Sequence, residues 1–467
     1  MRSTRVVTLV TLALLNVFTL LAGVSIARML PARLAAMKVP VAVTGKTHSV
    51  ISVLQASSAS TAVPTEAGLR AAIDRALPAG SEAVVADGST GTVLYDDRGD
   101  TESTPDSTTK VLTATAALSV LGADTRFTTK VVRDGSHIVL VGGGDPDLAV
   151  HSYPSSDYPQ PATLADLAAR TAAALKESGL TTIQLSYDTS LYSGPQYATG
   201  WSSSDVTSGN VTPIVSLEVD QGRLTASGQP EDSDDFTNYR ARTTNPAGMA
   251  VSAFASLLES DGITVSGAQS EVTAPSGATT IAQVESPTVA QLAQQMLTES
   301  NNVIAENLGR HLAIATGKAA TFTGAAAAVE ATVRRIGVTA GVRLYDTSGL
   351  SPNDGIAPMA LVQGLEADAR TAGLRAVITG LPVAGFDGTL STGGSIFGDI
   401  SGTARGVVRA KTGNLLTSAT LAGLVVDSDH HLLIFALMTA GYSSAELQSS
   451  ANGIDAAAEA LASCGCR

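Results

Sequence analysis

Cysteine is nearly absent from this chain of 467 residues: the two present, Cys464 and Cys466, fall within its last four positions. A disulfide framework spread through the fold is therefore excluded. Aromatic residues make up 4% of the sequence, with one tryptophan, against 44 glycines. That scarcity argues against an aromatic-lined carbohydrate cleft and for small-residue packing of helices on sheets. Positive charge is also short, 29 Lys and Arg against 42 Asp and Glu, for a formal net charge of −13. No basic face is left for nucleic acid. Neither a Gly-x-Ser-x-Gly elbow nor a His-Glu-x-x-His pair occurs, and the six histidines are scattered. His430-His431 falls in an expected strand-to-strand turn without further ligands, so neither metal nor other cofactor is expected. No repeat of solenoid period is present.

Long apolar stretches are rare too, and the one that stands out lies at the start. Arg2 and Arg5 precede an uncharged run from Val6 to Ala27, and Arg28 and Arg33 follow it. As a helix the run would be roughly 33 Å long, about the hydrocarbon thickness of a bilayer. Residues 1–28 are therefore read as an N-terminal membrane anchor or a signal peptide, with the longer-than-usual apolar core favouring the anchor. The bulk of the chain is expected outside the cytoplasm, membrane-anchored or secreted. Residues 29–66 lack periodicity and read as a flexible tether.

Folded sequence is expected from residue 67, where GLRAAIDRAL has amphipathic helical spacing. SEAVVADGSTGTVLYDDRG then reads as two strands. Asp106 to Gly122, DSTTKVLTATAALSVLG, is the stretch around which the rest is organised. A helix beginning near Ser107 puts Ser107 and Lys110 on one face, a nucleophile beside a base. The free N–H groups of its first turn lie where an attacked carbonyl would become an oxyanion. Of seven lysines, Lys110 alone has a serine three residues before it.

Downstream, ADTRFTTKVVRDGSHIVLVGGGDPDL reads as a hairpin turning at Asp134-Gly135, with a sharp exit at Gly142 to Leu148. From Asp145 to about Ile281 the chain mixes helices at Thr163–Ser178 and Pro246–Asp261 with short strands. The acidic run Glu231 to Asp235 in this region is expected to be a solvated loop. Two helical patterns, PTVAQLAQQMLTES and VIAENLGRHLAIATG, meet at Ser300-Asn301-Asn302, where a break would expose side chains to a cleft. RGVVRAKTG reads as a strand carrying Lys411-Thr412-Gly413, followed by two more strands in a meander. Gly413 leaves room for a substrate backbone along that strand.

Ser-x-x-Lys, Ser-x-Asn and Lys-Thr-Gly in this order are the signature of penicillin-binding proteins and β-lactamases. Over roughly Ala67 to Leu461 the chain resembles the D-alanyl-D-alanine carboxypeptidases/endopeptidases of the class C low-molecular-mass penicillin-binding proteins, which implies a carboxypeptidase with endopeptidase action as a second activity. FTTK, GGGDPDL, DTSGLSPND, LPVAGFDGTL and ARGVVRAKTGNL carry the likeness beyond the three motifs. The resemblance implies an α/β (α+β) fold: a transpeptidase/β-lactamase-like domain with an antiparallel sheet, a helical subdomain and an inserted accessory domain. The expected division is 67–144 and 282–461 for the transpeptidase-like domain, 145–281 for the insert and 462–467 for the tail. That tail is expected to hang loose, with a redox pair or an intermolecular bridge as the other readings of its cysteines.

By the same resemblance Ser107 attacks the carbonyl between two D-alanines, Lys110 takes its proton and Ser300 relays one to the leaving amine. Asn302 holds Lys110 or the substrate amide. Lys411 and Thr412 receive the terminal carboxylate beside Gly413, and the N–H groups of Ser107 and Asn414 form the oxyanion hole. The implied ligands are peptidoglycan peptides ending in D-Ala-D-Ala and β-lactams. Asn414 stands where the family usually has threonine, and the insert is expected to be shorter than in larger members. A β-lactamase or ester hydrolase on the same fold, and a non-enzymatic wall-binding scaffold, are the rival readings. Replacing Ser107 by alanine (Ser107→Ala) is expected to abolish covalent penicillin labelling with a nearly unchanged thermal midpoint; an adduct on another tryptic peptide would refute the assignment.

Overall fold

A computed structural model of the chain describes residues 63–153, 158–224, 240–391, 397, 400, 402–441 and 443–466. The expected anchor, all but the end of the tether and the acidic run Glu231 to Asp235 lie outside these residues. Among the described residues no helix is long and apolar enough to cross a membrane.

The first folded element is helix α1, Glu66–Ala76, whose N-terminus is capped by Thr65: its hydroxyl accepts from the Gly68 N–H at 3.2 Å. Leu69 and Ile73, one turn apart, are its fully buried residues. Each such side chain contributes about 1.5–3 kcal/mol of transfer free energy. Strands β1 (Glu82–Asp87) and β2 (Val93–Asp97) follow as expected, and a short 3-10 turn at Asp106–Thr108 leads into α2, Thr109–Leu121, ended by Gly122.

Strand β3 (Thr128–Asp134) and β4 (His137–Val141) form the expected hairpin, but its place in the fold differs from the expectation. β4 pairs in parallel with β5 (Thr182–Asp188), which pairs in parallel with β6 (Thr264–Glu271). β7 (Thr279–Glu285) closes the other edge against β3, giving a mixed sheet in the order β6-β5-β4-β3-β7. The hairpin thus belongs to this second sheet, whose first strand begins at Thr128. Turn chemistry at Asp134-Gly135 specified the pairing of β3 with β4 but carried no information on which sheet they join. Helices α3 (Leu164–Glu177) and α4 (Pro246–Ser260) cover this sheet through Leu167, Leu175, Phe254 and Leu258.

Gly142 to Gly144 explain themselves at this crossing. A Cβ on Gly142 would run into the Ser216 carbonyl, one on Gly143 into the Thr128 carbonyl and one on Gly144 into the Tyr192 hydroxyl. The chain passes between three neighbours where only glycine fits.

The catalytic half of the chain supplies the helices α5 (Val289–Glu299), α6 (Asn302–Ala315), α7 (Phe322–Arg335), α8 (Pro358–Arg370) and α9 (Arg375–Gly380). A two-residue ribbon, β8 (Val342–Arg343) and β9 (Gly355–Ile356), lies between α7 and α8. It ends with the meander β10 (Val408–Leu415), β11 (Ser418–Val426) and β12 (Leu432–Ala440), then helix α10, Leu447–Ser463. The main sheet runs β10-β11-β12-β1-β2, antiparallel throughout. Alternation along β1 sends Val84 and Ala86 into the core shared with α2, α5, α6 and α8, while Ala83 and Val85 face α1 and α10. Because both faces are covered, β1 and β12 read as near-continuous apolar runs.

The C-terminal tail is not loose. Cys464 and Cys466 are bonded to each other, Cys464 is buried in the α1–α10 core, and no free cysteine is left among the described residues for a bridge to a second molecule. The Cys466 carbonyl accepts from the Thr65 N–H at 2.7 Å, and a Cβ on Gly68 would stand 2.6 Å from that oxygen. The tail docks on the first turn of α1, a contact between residues 401 positions apart that periodicity cannot report.

Candidate active site

The turn before α2 is held in an uncommon conformation. Asp106 has φ of +52°, a region a non-glycine residue seldom occupies. Its carboxylate accepts from the Ser418 hydroxyl at 2.5 Å, and the Thr420 hydroxyl donates to the Pro105 carbonyl at 2.9 Å, so two β11 side chains pin the turn. Gly413 on the neighbouring strand lets them meet: a Cβ there would lie 2.8 Å from the Asp106 Cβ and 3.0 Å from the Ser107 nitrogen. The missing side chain expected to make room for substrate makes room first for the backbone of Ser107.

Lys110 is fully buried, not a solvated surface lysine. Its Nζ lies 2.8 Å from Ser107 Oγ, 2.6 Å from Asn302 Oδ1 and 2.7 Å from the Ser348 carbonyl. An ammonium would donate to all three. A neutral amine donates to the two carbonyl oxygens, which can only accept, and turns its lone pair to the serine O–H. Burial pushes the amine down to about 7, against the carboxylates of Asp346, Glu306, Asp106 and Asp354, which pull it up. Burial dominates.

Ser300 sits at the break between α5 and α6 with φ of +61°, while Asn301 caps α6 by accepting from the Ile304 N–H at 3.2 Å. Asn302, first in the helix, thereby reaches Lys110, and its amide nitrogen donates to the Asn210 carbonyl of the insert at 2.9 Å. Of the two roles expected for Asn302, the geometry displays the hold on Lys110. Lys411, also fully buried, donates to Ser300 Oγ at 2.9 Å and to the Thr412 carbonyl at 2.8 Å. Burial, then the proximity of Lys110, holds its amine well below the ordinary lysine range.

These groups converge on a cavity of about 700 Å³ into which Ser107, Ser300, Asn302 and Asn414 open. Thr412 is not among its lining residues: its hydroxyl pairs with that of Thr389 at 2.7 Å. One wall comes from the insert, through Asp205 and Asn210. Three carboxyl residues without an expected role complete the surroundings. Asp346 accepts from the N–H groups of Ser348, Gly349 and Ser351 at 3.0, 2.7 and 2.7 Å, and from the Trp201 indole at 2.7 Å. Asp354 accepts from the Tyr345 N–H, and burial followed by Asp346 raises its carboxyl to about 10. Glu306 holds Thr347. A glutamate four residues after Asn302 and three polar residues in DTSGL were signals in the sequence, legible only once Lys110 is known to be buried behind them.

Fold and site together define a serine peptidase of the penicillin-recognising class. The chain belongs to the D-Ala-D-Ala carboxypeptidase 3 (S13) family, which matches residues 69–238 and 223–461. It is 35% identical over 418 residues to "Carboxypeptidase DacB" of Mycolicibacterium smegmatis, spanning 86% of this chain and 85% of that one. To "Carboxypeptidase Rv3627c" of Mycobacterium tuberculosis it is 34% identical, spanning 92% of this chain and 87% of the other. Penicillin-binding protein 4 of Haemophilus influenzae shares the fold with a TM-score of 0.67 at 23% identity, covering 84% of this chain and 98% of that one, and has also been solved with a β-lactam. The family and fold class expected from the three motifs are borne out.

Substituting Gly413 by alanine is expected to lower the second-order rate of penicillin acylation at least tenfold, because the methyl displaces the Ser107 turn. Stopped acylation with little loss of thermal stability supports that account; an unchanged rate refutes it.

Proposed function

We propose that this enzyme is a serine D-Ala-D-Ala carboxypeptidase acting on peptidoglycan stem peptides, with the roles carried by the residues gathered around Lys110. The observation that carries the reading is the three-way contact of Lys110 Nζ with Ser107, Asn302 and the Ser348 carbonyl. Ser107 Oγ attacks the carbonyl of the penultimate D-alanine as Lys110 takes its proton. The tetrahedral oxyanion lies at the N–H groups of Ser107 and Asn414. Ser300, bonded to Lys411, passes a proton to the departing D-alanine amine, and the C–N bond breaks to leave an acyl-enzyme. Water, deprotonated by the same base, releases the trimmed peptide. The substrate's terminal carboxylate raises the proton affinity of the buried Lys411 amine, whose ammonium then receives it, with Thr412 and Gly413 on the same strand. A β-lactam enters by the same attack and leaves slowly.

The unit inserted into the transpeptidase-like domain is taken to run from Thr128 to Glu285, supported by the membership of its strands in one sheet. For the N-terminus we infer an uncleaved membrane anchor at Val6 to Ala27, supported by the length of the uncharged run and its flanking arginines. The full-length protein is expected to remain with washed membranes and to keep its N-terminal residues by mass; a soluble product cut near Ala27 refutes the anchor.

The activity test pairs a D-Ala-D-Ala peptide with penicillin. D-alanine release with many turnovers, and a penicillin adduct persisting for minutes by intact mass, are expected; rapid penicillin turnover without D-alanine release favours the β-lactamase reading instead. Since the base works unprotonated and burial holds Lys110 to about 7, acylation is gained as pH rises. Its rate should increase about tenfold per unit on the acid side and level above the Lys110 value.

A further inference from the structure

Glu306 takes no part in the steps above, yet it is fully buried one helical turn after Asn302 and on the same face of α6. Its carboxylate accepts from the Thr347 N–H at 3.1 Å and from the Thr347 hydroxyl at 2.8 Å. Thr347 is further tied to α2, where the Thr113 hydroxyl donates to its carbonyl at 2.7 Å. The next carbonyl, that of Ser348, is the one Lys110 Nζ contacts. Two positions on one helix therefore reach the base by two routes: Asn302 directly, and Glu306 through the Thr347–Ser348 strap.

We propose that Glu306 is a positioning residue for Lys110: it anchors the strap that holds the amine and supplies negative charge for the proton the lysine takes from Ser107. This rests on Lys110 being the base. Lys110 is faced by Asp346 and Asp354 from the segment after α7, by Glu306 from α6, by Asp106 from the nucleophile turn and by the amine of Lys411 from β10. Asp346 is committed to four donors that fold its own loop, so removing its charge would unmake that loop. Glu306 can be neutralised without that damage. A glutamine keeps an acceptor for the Thr347 N–H, and its NH₂ can donate to the Thr347 hydroxyl oxygen. Burial, with Asp346 adding to it, raises the Glu306 carboxyl to about 7, so charge on this residue and on the lysine respond to each other near neutrality.

The sign follows from charge. A neighbouring carboxylate favours the ammonium form of Lys110, so losing it makes the amine a weaker base that is free at lower pH. The experiment measures the acylation rate constant of the full chain with a fluorescent penicillin between pH 5 and 9. For Glu306→Gln the acid limb is expected to move lower by up to about half a pH unit, since the carboxyl is itself partly protonated around 7, with a plateau about threefold lower from the weaker base. Glu306→Asp, which keeps the charge on a shorter arm, is expected to leave the limb in place and lose plateau rate alone. Asp368→Asn serves as control: this buried carboxyl bonds Thr115 and does not face Lys110, so its limb stays where it is. An acid limb unmoved in Glu306→Gln, or moved equally in the control, overturns the proposal. If Glu306→Gln does not fold, Glu306→Asp decides, and a wild-type plateau there overturns it. Lys110→Met separates the two levels: if that variant still acylates, the base reading falls and this inference with it. If it is inert while Glu306→Gln keeps the wild-type limb, only the role of Glu306 is lost.

Discussion

A primary amine removed from water is the constraint on which the rest of this structure depends. A buried lysine is tolerated when it is neutral or when its donors are all met, and Lys110 sits at the boundary between the two conditions. Its environment supplies two obligate acceptors and one hydroxyl that can serve either way. In that arrangement Ser107 lies on the turn that leads into the helix of Lys110, a break between two helices faces the amine, and a loop carbonyl from 238 residues away approaches it.

Close backbone approach is the second requirement, and it is met by removing side chains. Gly413 lets the edge strand β10 touch the Ser107 turn, and Gly349 leaves room for the Asp106 carbonyl. Hydroxyl groups of Ser418 and Thr420 then satisfy the polar atoms that such crowding buries. The positive φ at Asp106 is sustained by these contacts, a local strain held by its surroundings at the site of chemistry. The second buried lysine, Lys411, reaches Ser300 across the same crowded seam.

The insert does more than decorate this arrangement. From its own sheet it sends residues 189–223 back across α6, where the Tyr192 hydroxyl donates to Asn307 at 2.8 Å and the Asn210 carbonyl holds Asn302. The sole tryptophan, Trp201, closes the circle by donating to Asp346 in the loop behind the base. Sheet, loop and Lys110 are thus joined through hydrogen bonds to buried or half-buried partners, the kind costly to leave unmade.

Local patterns were enough to find α2 with its Ser107–Lys110 face, the α5–α6 break at Ser300, and the strand carrying Lys411. They succeed because helix spacing, caps and strand alternation are written within a few residues of one another. The three motifs then placed the chain in its family. Hidden from the sequence were the sheet that receives β3 and β4, the docking of Cys466 on Thr65, the pairing of Thr412 with Thr389, and the carboxylates gathered behind Lys110. Each is a contact between distant segments, decided by how layers pack and by which buried polar atoms must find partners, and those demands exist only once the chain has closed on itself.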